Sequence, residues 1–202
     1  MRKIIVSTFL TLDGVMQAQG GPEEDTSNGF TQGGWSINYW DDSRGKVLGE
    51  NMAAPRHAAG PPHLDIFAAY WPKTGAAAGA AFTAGQKYVA THRPLATDWA
   101  NSHSLGLGPD ALAAVRALKA QDGPDLAVHG SQNFLQSLIA ADLLDEYRLM
   151  IFPLILGRGS KLFAKVGMPA GFSLTKSRLS KTGVMMVWYQ KADRAATGSF
   201  GL

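Results

Sequence analysis

The sequence predicts an α/β domain with a mostly parallel central sheet and an antiparallel hairpin at its C-terminal end. Three observations carry this. Apolar strand-like runs alternate with helical patterns through most of the chain. The stretch from Leu126 to Phe152 reads strand, helix, strand. Two late strand-like runs, Phe172 to Arg178 and Val184 to Gln190, are joined through Ser180-Lys181-Thr182-Gly183 and read as a hairpin.

Ile4 to Leu10 is β-branched and apolar, as a buried central strand requires, and Thr11-Leu12-Asp13-Gly14 ends it. Residues 17–34, rich in Gly, Gln, Glu and Asn, read as a long loop. A helix is expected from Asp41 or Asp42 to about Ala54, because acidic residues suit a first turn. Asp65 to Trp71 is expected to be a short helix stopped by Pro72. Lys87 to Thr91 reads as a strand. Pro109 to Gln121 reads as a helix: Pro sits in its first turn, Leu112, Val115 and Leu118 recur at helical spacing, and Gly123-Pro124 ends it. Leu126 to His129 is a strand, Asn133 to Ala141 a helix and Tyr147 to Phe152 a strand. Residues 192–202 have little to bury and are expected to fray, which leaves 1–191 as one domain.

The 202 residues suit one domain with a real core, and 46% apolar against 17% charged content reads as globular. The net charge of +3 is spread thinly; it permits an anionic cofactor, and no block of Lys or Arg points to nucleic acid. Cysteine is absent, which removes disulfides, thiolate metal sites and a Cys nucleophile. His57, His63, His92, His103 and His129 have no metal-ligand spacing, so no metal is expected. Ser131 lies in no Gly-x-Ser-x-Gly elbow, which disfavours a serine hydrolase. The N-terminal apolar run is too short for a signal peptide, and no stretch approaches the ~20 apolar residues of a membrane span. A cytoplasmic protein without membrane contact is expected.

Val128 to Phe163 carries the most chemistry. A strand runs into His129-Gly130-Ser131-Gln132 and a helix follows, a geometry that brings backbone N–H groups and a helix dipole to a strand's end, where a phosphate can bind. Spacing alone favours the plainer reading, a strand-to-helix turn with Ser131 as cap. Leu156-Gly157-Arg158-Gly159-Ser160-Lys161-Leu162-Phe163 is either a second anion site or a solvated turn with Leu162 and Phe163 in the core. Leu12-Asp13-Gly14 reads first as a turn.

Together, these three motifs resemble the reductase domain of bacterial riboflavin biosynthesis, a member of the dihydrofolate-reductase-like superfamily. The resemblance spans nearly the whole chain and is strongest at 126–163. It implies a three-layer α/β/α fold and an NADPH-dependent oxidoreductase. Its hydride would go to a small heterocycle, a ribosylamino-pyrimidine or a pterin, with 5-amino-6-(5-phosphoribosylamino)uracil reduction as the namesake activity. Gly130, Ser131, Gln132, Gly157, Arg158 and Gly159 would then bind the cofactor. Asp13 would sit by the reacting ring to orient substrate or relay a proton. Trp35, in Gly33-Gly34-Trp35, would line the substrate side. The resemblance also implies a homodimer through the C-terminal strands, Phe172 to Gln190. No Gly-x-Gly-x-x-Gly follows a strand, so the cofactor would be held through several strand ends and not by a Rossmann turn.

One segment departs from the pattern. Relatives carry Leu-Leu-Gly-Arg-Arg-Thr-Tyr just before Asp-Ile-Phe, with its Arg and Thr on the cofactor's phosphates. Here Asp65-Ile66-Phe67 follows Ala58-Ala59-Gly60-Pro61-Pro62-His63-Leu64. Two prolines cannot donate to a central ladder, so loss of a central strand is expected. Losing a charge-assisted phosphate contact of roughly 1.5–3 kcal/mol would weaken NADPH about 10-fold or more. A non-catalytic nucleotide-binding or structural relative is therefore the alternative reading. The genetic code suggests a cause. The family peptide written as CTG CTG GGC CGC CGC ACC TAC, with a G before it and the frame moved by one base, yields Ala-Ala-Gly-Pro-Pro-His-Leu. The hypothesis is a local frameshift from about Pro55 to Leu64, compensated at Asp65. Resequencing the gene checks it: the same codons in an intact frame shared by close relatives would sink the idea.

Overall fold

The centre of the sheet is β1 (Ile4–Thr11), whose Ile4 and Val6 are fully buried. A continuous apolar run is what a strand covered on both faces needs. It lies parallel between β5 (Leu126–His129) and β6 (Glu146–Phe152). Beyond β5 come β2 (Arg56–Ala59), β3 (Gln86–Val89) and β4 (Ser102–Ser104), all parallel. Beyond β6 comes β8 (Met185–Lys191) and then β7 (Phe172–Leu179), both pairings antiparallel. The full order is β4-β3-β2-β5-β1-β6-β8-β7, the mostly parallel sheet with a C-terminal hairpin that the sequence predicts. The computed structural model describes the chain except residues 53–55, 74–76, 92–93, 96–98, 165–168, 193–194, 196–197 and 201–202; at 61–63 and 77–78 it describes the backbone alone.

Side chains alternate across β1, and each set meets a different helix layer. Ile4, Val6 and Leu10 pack with Val115 and Leu118 of α4 (Pro109–Ala120) and with Leu135 and Leu138 of α5 (Gln132–Ala140). Phe9 faces the other way, into a cluster with Val47 of α1 (Asp42–Met52), Phe152 and Trp188. A third cluster joins Met52, Val89 and Trp99 to Leu64 of α2 (Pro61–Tyr70) and Phe82 of α3 (Ala77–Ala84). The result is three layers, α/β/α. No helix among the described residues is long and apolar enough to cross a membrane.

The structure corrects the reading of the segment expected to be abnormal at 55–64, over residues 56–64; Pro55 lies outside the described residues. The strand is not lost: Arg56 to Ala59 pair with β3 and, through His57 and Ala58, with β5. The prolines fall one step later, in the first turn of α2 after Gly60. There a missing N–H costs no hydrogen bond and the fixed φ suits the helix. The same helix absorbs the segment expected to begin at Asp65, and Pro72 falls in a 3-10 turn, Trp71–Lys73, just past its end. Two elements have no counterpart in the prediction. The Ala-rich α3 shows no amphipathic spacing to betray it, and β4 has only three residues. Residues 53–54, the expected end of the first long helix, and parts of the expected frayed tail lie outside the described residues.

Candidate functional site

A cavity of about 550 Å³ crosses the C-terminal ends of the parallel strands. Ala90 after β3, Gly60 after β2 and Ser131 after β5 lie along it, and it ends at Met16, Gln17 and Ala18 in the loop after β1. The strand order reverses about β1, and α/β sheets leave a crevice outside their carboxyl ends at such a point. The chain from β5 enters α5 through two left-handed residues, Gly130 (φ 57°) and Ser131 (φ 54°). That backbone is free for glycine but costs a serine roughly 1–3 kcal/mol. Ser131 is the N-cap residue, yet its side chain does not cap the helix. Its Oγ instead accepts the Gly60 N–H at 2.6 Å, which ties β2 to β5 across the cavity floor. The first-turn N–H groups of α5 have no partner within the helix itself, and Gln132 and Asn133 of that turn line the cavity. Beneath this cradle the buried rings of His57 and His129 meet at 3.1 Å, Nδ1 to Nε2, a second tie between the same two strands.

A second cavity, of about 950 Å³, adjoins the first and shares Gln17, Ser27, Asn28, Gln132 and Ser160 with it. Gly157, Arg158, Gly159 and Lys161 line it from one side, Thr31 and Gln32 from the other. The expected cofactor set is therefore divided: Ser131 and Gln132 are on the first cavity, Gly157, Arg158 and Gly159 on the second. Gly130 supplies the bend beneath Ser131. Gln132 bridges the two motifs, since its Nε2 donates to the Lys161 carbonyl at 3.2 Å. Gly159 is fixed by sterics: its φ is +116°, and a Cβ there would lie 2.7 Å from Val15 and 2.8 Å from Phe30.

The structure places Asp13 outside both linings. Its carboxylate accepts the Thr11 hydroxyl at 2.6 Å and the backbone N–H groups of Leu156 and Gly157 at 3.2 and 3.0 Å, and Lys161 Nζ stands 3.5 Å away. Burial would raise its pKa, but the three hydrogen bonds and the Lys161 charge outweigh burial and lower it from 3.8 to about 2. Asp13 is thus a fixed carboxylate that positions the Gly157 turn, and the expectation of a proton relay beside the ring is corrected. Trp35 is corrected as well. It is 8% exposed, stands edge-on to Phe152 and donates its Nε1–H to the Gln17 carbonyl at 2.7 Å, so it pins the long loop from within and lines neither cavity.

The long loop contributes what the sequence reading missed. Gln17 Nε2 donates to the carbonyls of Asp25 and Ser27, at 3.2 and 3.1 Å, and its Oε1 accepts the Ser160 N–H at 3.0 Å. This folds residues 18–28 into a strap across the junction of the two cavities. The strap brings Glu24 and Asp25 to the lining of the first cavity. Glu24 accepts the Gly20 N–H. Burial raises its carboxyl above the ordinary range against the lowering effect of the Gly20 and Gly21 N–H groups, and nearby Asp25 adds to the rise. Glu-Glu-Asp in a polar Gly-rich loop reads as solvated surface, and only the tertiary anchor at Gln17 distinguishes it.

Comparison with known proteins agrees with this architecture. The family model described as the RibD C-terminal domain matches residues 2–186. The uncharacterized protein YyaP of Bacillus subtilis (strain 168) is 25% identical over 197 residues, covering 93% of this chain and 94% of that protein. The deaminase/5-amino-6-(5-phosphoribosylamino)uracil reductase of Thermotoga maritima superposes with a TM-score of 0.60 at 15% identity, over 95% of this chain and 57% of that one. Dihydrofolate reductase from Enterococcus faecalis, complexed with NADP(H), superposes with a TM-score of 0.59 at 9% identity, over 95% of this chain and 97% of that one. The fold is dihydrofolate-reductase-like.

The Asp13 latch has a measurable signature. Asp13→Asn is expected to lower stability by at most about 2.5 kcal/mol at pH 7. The folded pKa lies below the ordinary 3.8, so the contribution is complete above about pH 4 and is lost as the pH falls toward 2. Urea unfolding across that range should show wild type and variant converging in acid; a gap that persists at pH 2, or no gap at pH 7, contradicts the latch.

Proposed function

The chain belongs to the family of RibD C-terminal domains, and from that membership we propose that it is an NADPH-dependent reductase of a small heterocyclic substrate, a ribosylamino-pyrimidine or a pterin. The observation that carries this reading is the first turn of α5 opening into the cavity across β3, β2 and β5, with the cap side chain turned away. Main-chain donors at the positive end of a helix fit a diphosphate. Ser131, Gln132 and Gly60 would hold the cofactor there, over the bend at Gly130. When bound, the cofactor supplies the hydride. The protein's share is to hold two rings face to face and to exclude water. The adjoining cavity would take the substrate, with Arg158 available to an acidic group on it.

A specific observation keeps a second reading, a nucleotide binder without turnover. Among the described residues, the lining of the first cavity includes Glu24 and Asp25 and no Lys or Arg. The Arg and Thr expected on the phosphates stand as Pro61, Pro62 and His63 in this chain.

Titration of NADPH by nicotinamide fluorescence tests both readings. Saturable binding is expected, followed by NADPH oxidation with a pterin or a ribosylamino-pyrimidine. Binding without oxidation of either supports the second reading, and no binding counts against both. A Cβ on Gly60 would lie 2.6 Å from Ser131 Oγ. Gly60→Ala is therefore expected to break the cradle and weaken NADPH about 10-fold, near 1.4 kcal/mol; unchanged affinity would put the cofactor elsewhere.

The same reading extends to a homodimer. Edge strand β7 is exposed at all eight positions and shows Phe172, Leu174 and Leu179 to solvent, an open edge that invites a second strand. Sedimentation should report a dimer that Leu174→Lys converts to monomer; a monomeric wild type refutes it.

A further inference from the structure

If the protein is the reductase proposed above, each reduction adds a hydride to carbon and a proton to the adjoining nitrogen or oxygen, and the chain must deliver that proton. The residue expected for this, Asp13, is a latched carboxylate outside both cavities. The two cavities meet at Gln17, Ser27, Asn28, Gln132 and Ser160, and with cofactor in one and substrate in the other the reacting rings would face each other there. Among the described residues lining either cavity, the carboxylic acids are Glu24 and Asp25; Arg158 and Lys161 on the other side are cations. Asp25 is exposed, and its Oδ1 accepts the Ser27 N–H at 3.0 Å. Glu24 is half-buried, in a turn closed by its own N–H to the Gly21 carbonyl at 3.2 Å.

We infer that Glu24, which lines the first cavity three residues before the junction residue Ser27, is the proton donor of the reduction, giving its carboxyl proton to the substrate's heteroatom. In that step the Glu24 O–H bond breaks and a new N–H or O–H bond forms on the substrate, whose adjoining carbon takes the hydride of the reduced nicotinamide dinucleotide. Glu24 is left as a carboxylate, which the N–H groups of Gly20 and Gly21 stabilise, and water returns the proton. The environment suits both forms: desolvation favours the acid before transfer, and the two N–H donors accommodate the anion after it. Asp25, one residue on, works against early ionisation.

The test reads the carboxyl itself as well as turnover. Glutamate side-chain carboxyls labelled with 13C are titrated by NMR in the NADPH and NADP+ complexes, with Glu24→Gln to assign the resonance. The Glu24 signal is expected to titrate above the ordinary glutamate range with NADPH. It should move down by roughly half a pH unit or more with NADP+, whose ring is cationic. Glu24→Gln is expected to keep NADPH affinity within about 2-fold and to slow reduction of a 7,8-dihydropterin by about 100-fold or more. Glu23→Gln, an exposed neighbour, should change neither. An ordinary titration that ignores the cofactor's oxidation state overturns the assignment, whether or not the pterin is turned over. So does a Glu24→Gln protein with wild-type turnover. Failure of the wild type to bind NADPH sinks the reductase reading itself, whereas NADPH binding with a silent Glu24 sinks this inference alone.

Discussion

Everything at the carboxyl edge of the sheet hangs on how the chain leaves β1. Thr11, Asp13 and Gly14 make a tight turn whose carboxylate reaches across to the backbone of Leu156 and Gly157. Around it run the main-chain bonds from Leu12 N to Leu154 O, Met16 N to Ser160 O and Leu162 N to Gly14 O. Two segments more than 140 residues apart in sequence are thereby closed into one unit, and both cavities are bounded by it. The carboxylate is held mainly by neutral donors, with a half-exposed Lys161 at 3.5 Å as a weaker fourth partner. An ion pair that open to water contributes little. The hydrogen bonds are what make the latch.

From that latch the strap follows. Gln17 lies one turn beyond it and makes bonds to two sides at once, to Ser160 on the Gly-rich turn and to Asp25 and Ser27 on its own loop. Trp35 and Phe30 bury the loop's return, and Arg44 of α1 donates to the Ser36 carbonyl at 2.7 Å while stacked on Phe9, Trp40 and Phe152. A polar, glycine-rich stretch without regular structure is thus positioned by a few buried side chains. This is a low-cost way to put carboxyl groups over a crevice without extending the sheet.

The legibility of the sequence follows the same division. The central strands are readable because β1, β5 and the second half of β6 (Leu149 to Phe152) are predominantly apolar, and α4 and α5 because their apolar spacing is helical. Strand β2 is not, because Arg56-His57-Ala58-Ala59 has neither alternation nor β-branching; it is held by its neighbours and by the His57–His129 contact, both tertiary. The prolines after it are incompatible with a ladder, and they stand in the first turn of the helix that follows, not in the strand. At the site, Gly130-Ser131 and Gly157 to Gly159 were visible as local backbone chemistry. Asp13 was visible as a residue but not as a latch, since its partners come from the other end of the chain. Trp35 looked like a pocket wall because nothing local reveals that its N–H is spent on Gln17.

The two cavities also differ in sign, and that difference orders a ligand along them. The positive end of α5 favours negative charge at the cradle. Glu24 and Asp25 disfavour it elsewhere on the lining of the same cavity, and Arg158 and Lys161 favour it again in the adjoining one. On the proposed function a dinucleotide would set its diphosphate at the α5 turn, one of the two places that favour negative charge. Its nicotinamide, which gains positive charge when the hydride leaves, would then lie toward the carboxylates. An acidic substrate would approach from the cationic side. Under that proposal charge would favour the orientation that brings the two rings together, with Pro61, Pro62 and His63 standing where the resemblance to the reductase domain leads one to expect Arg and Thr.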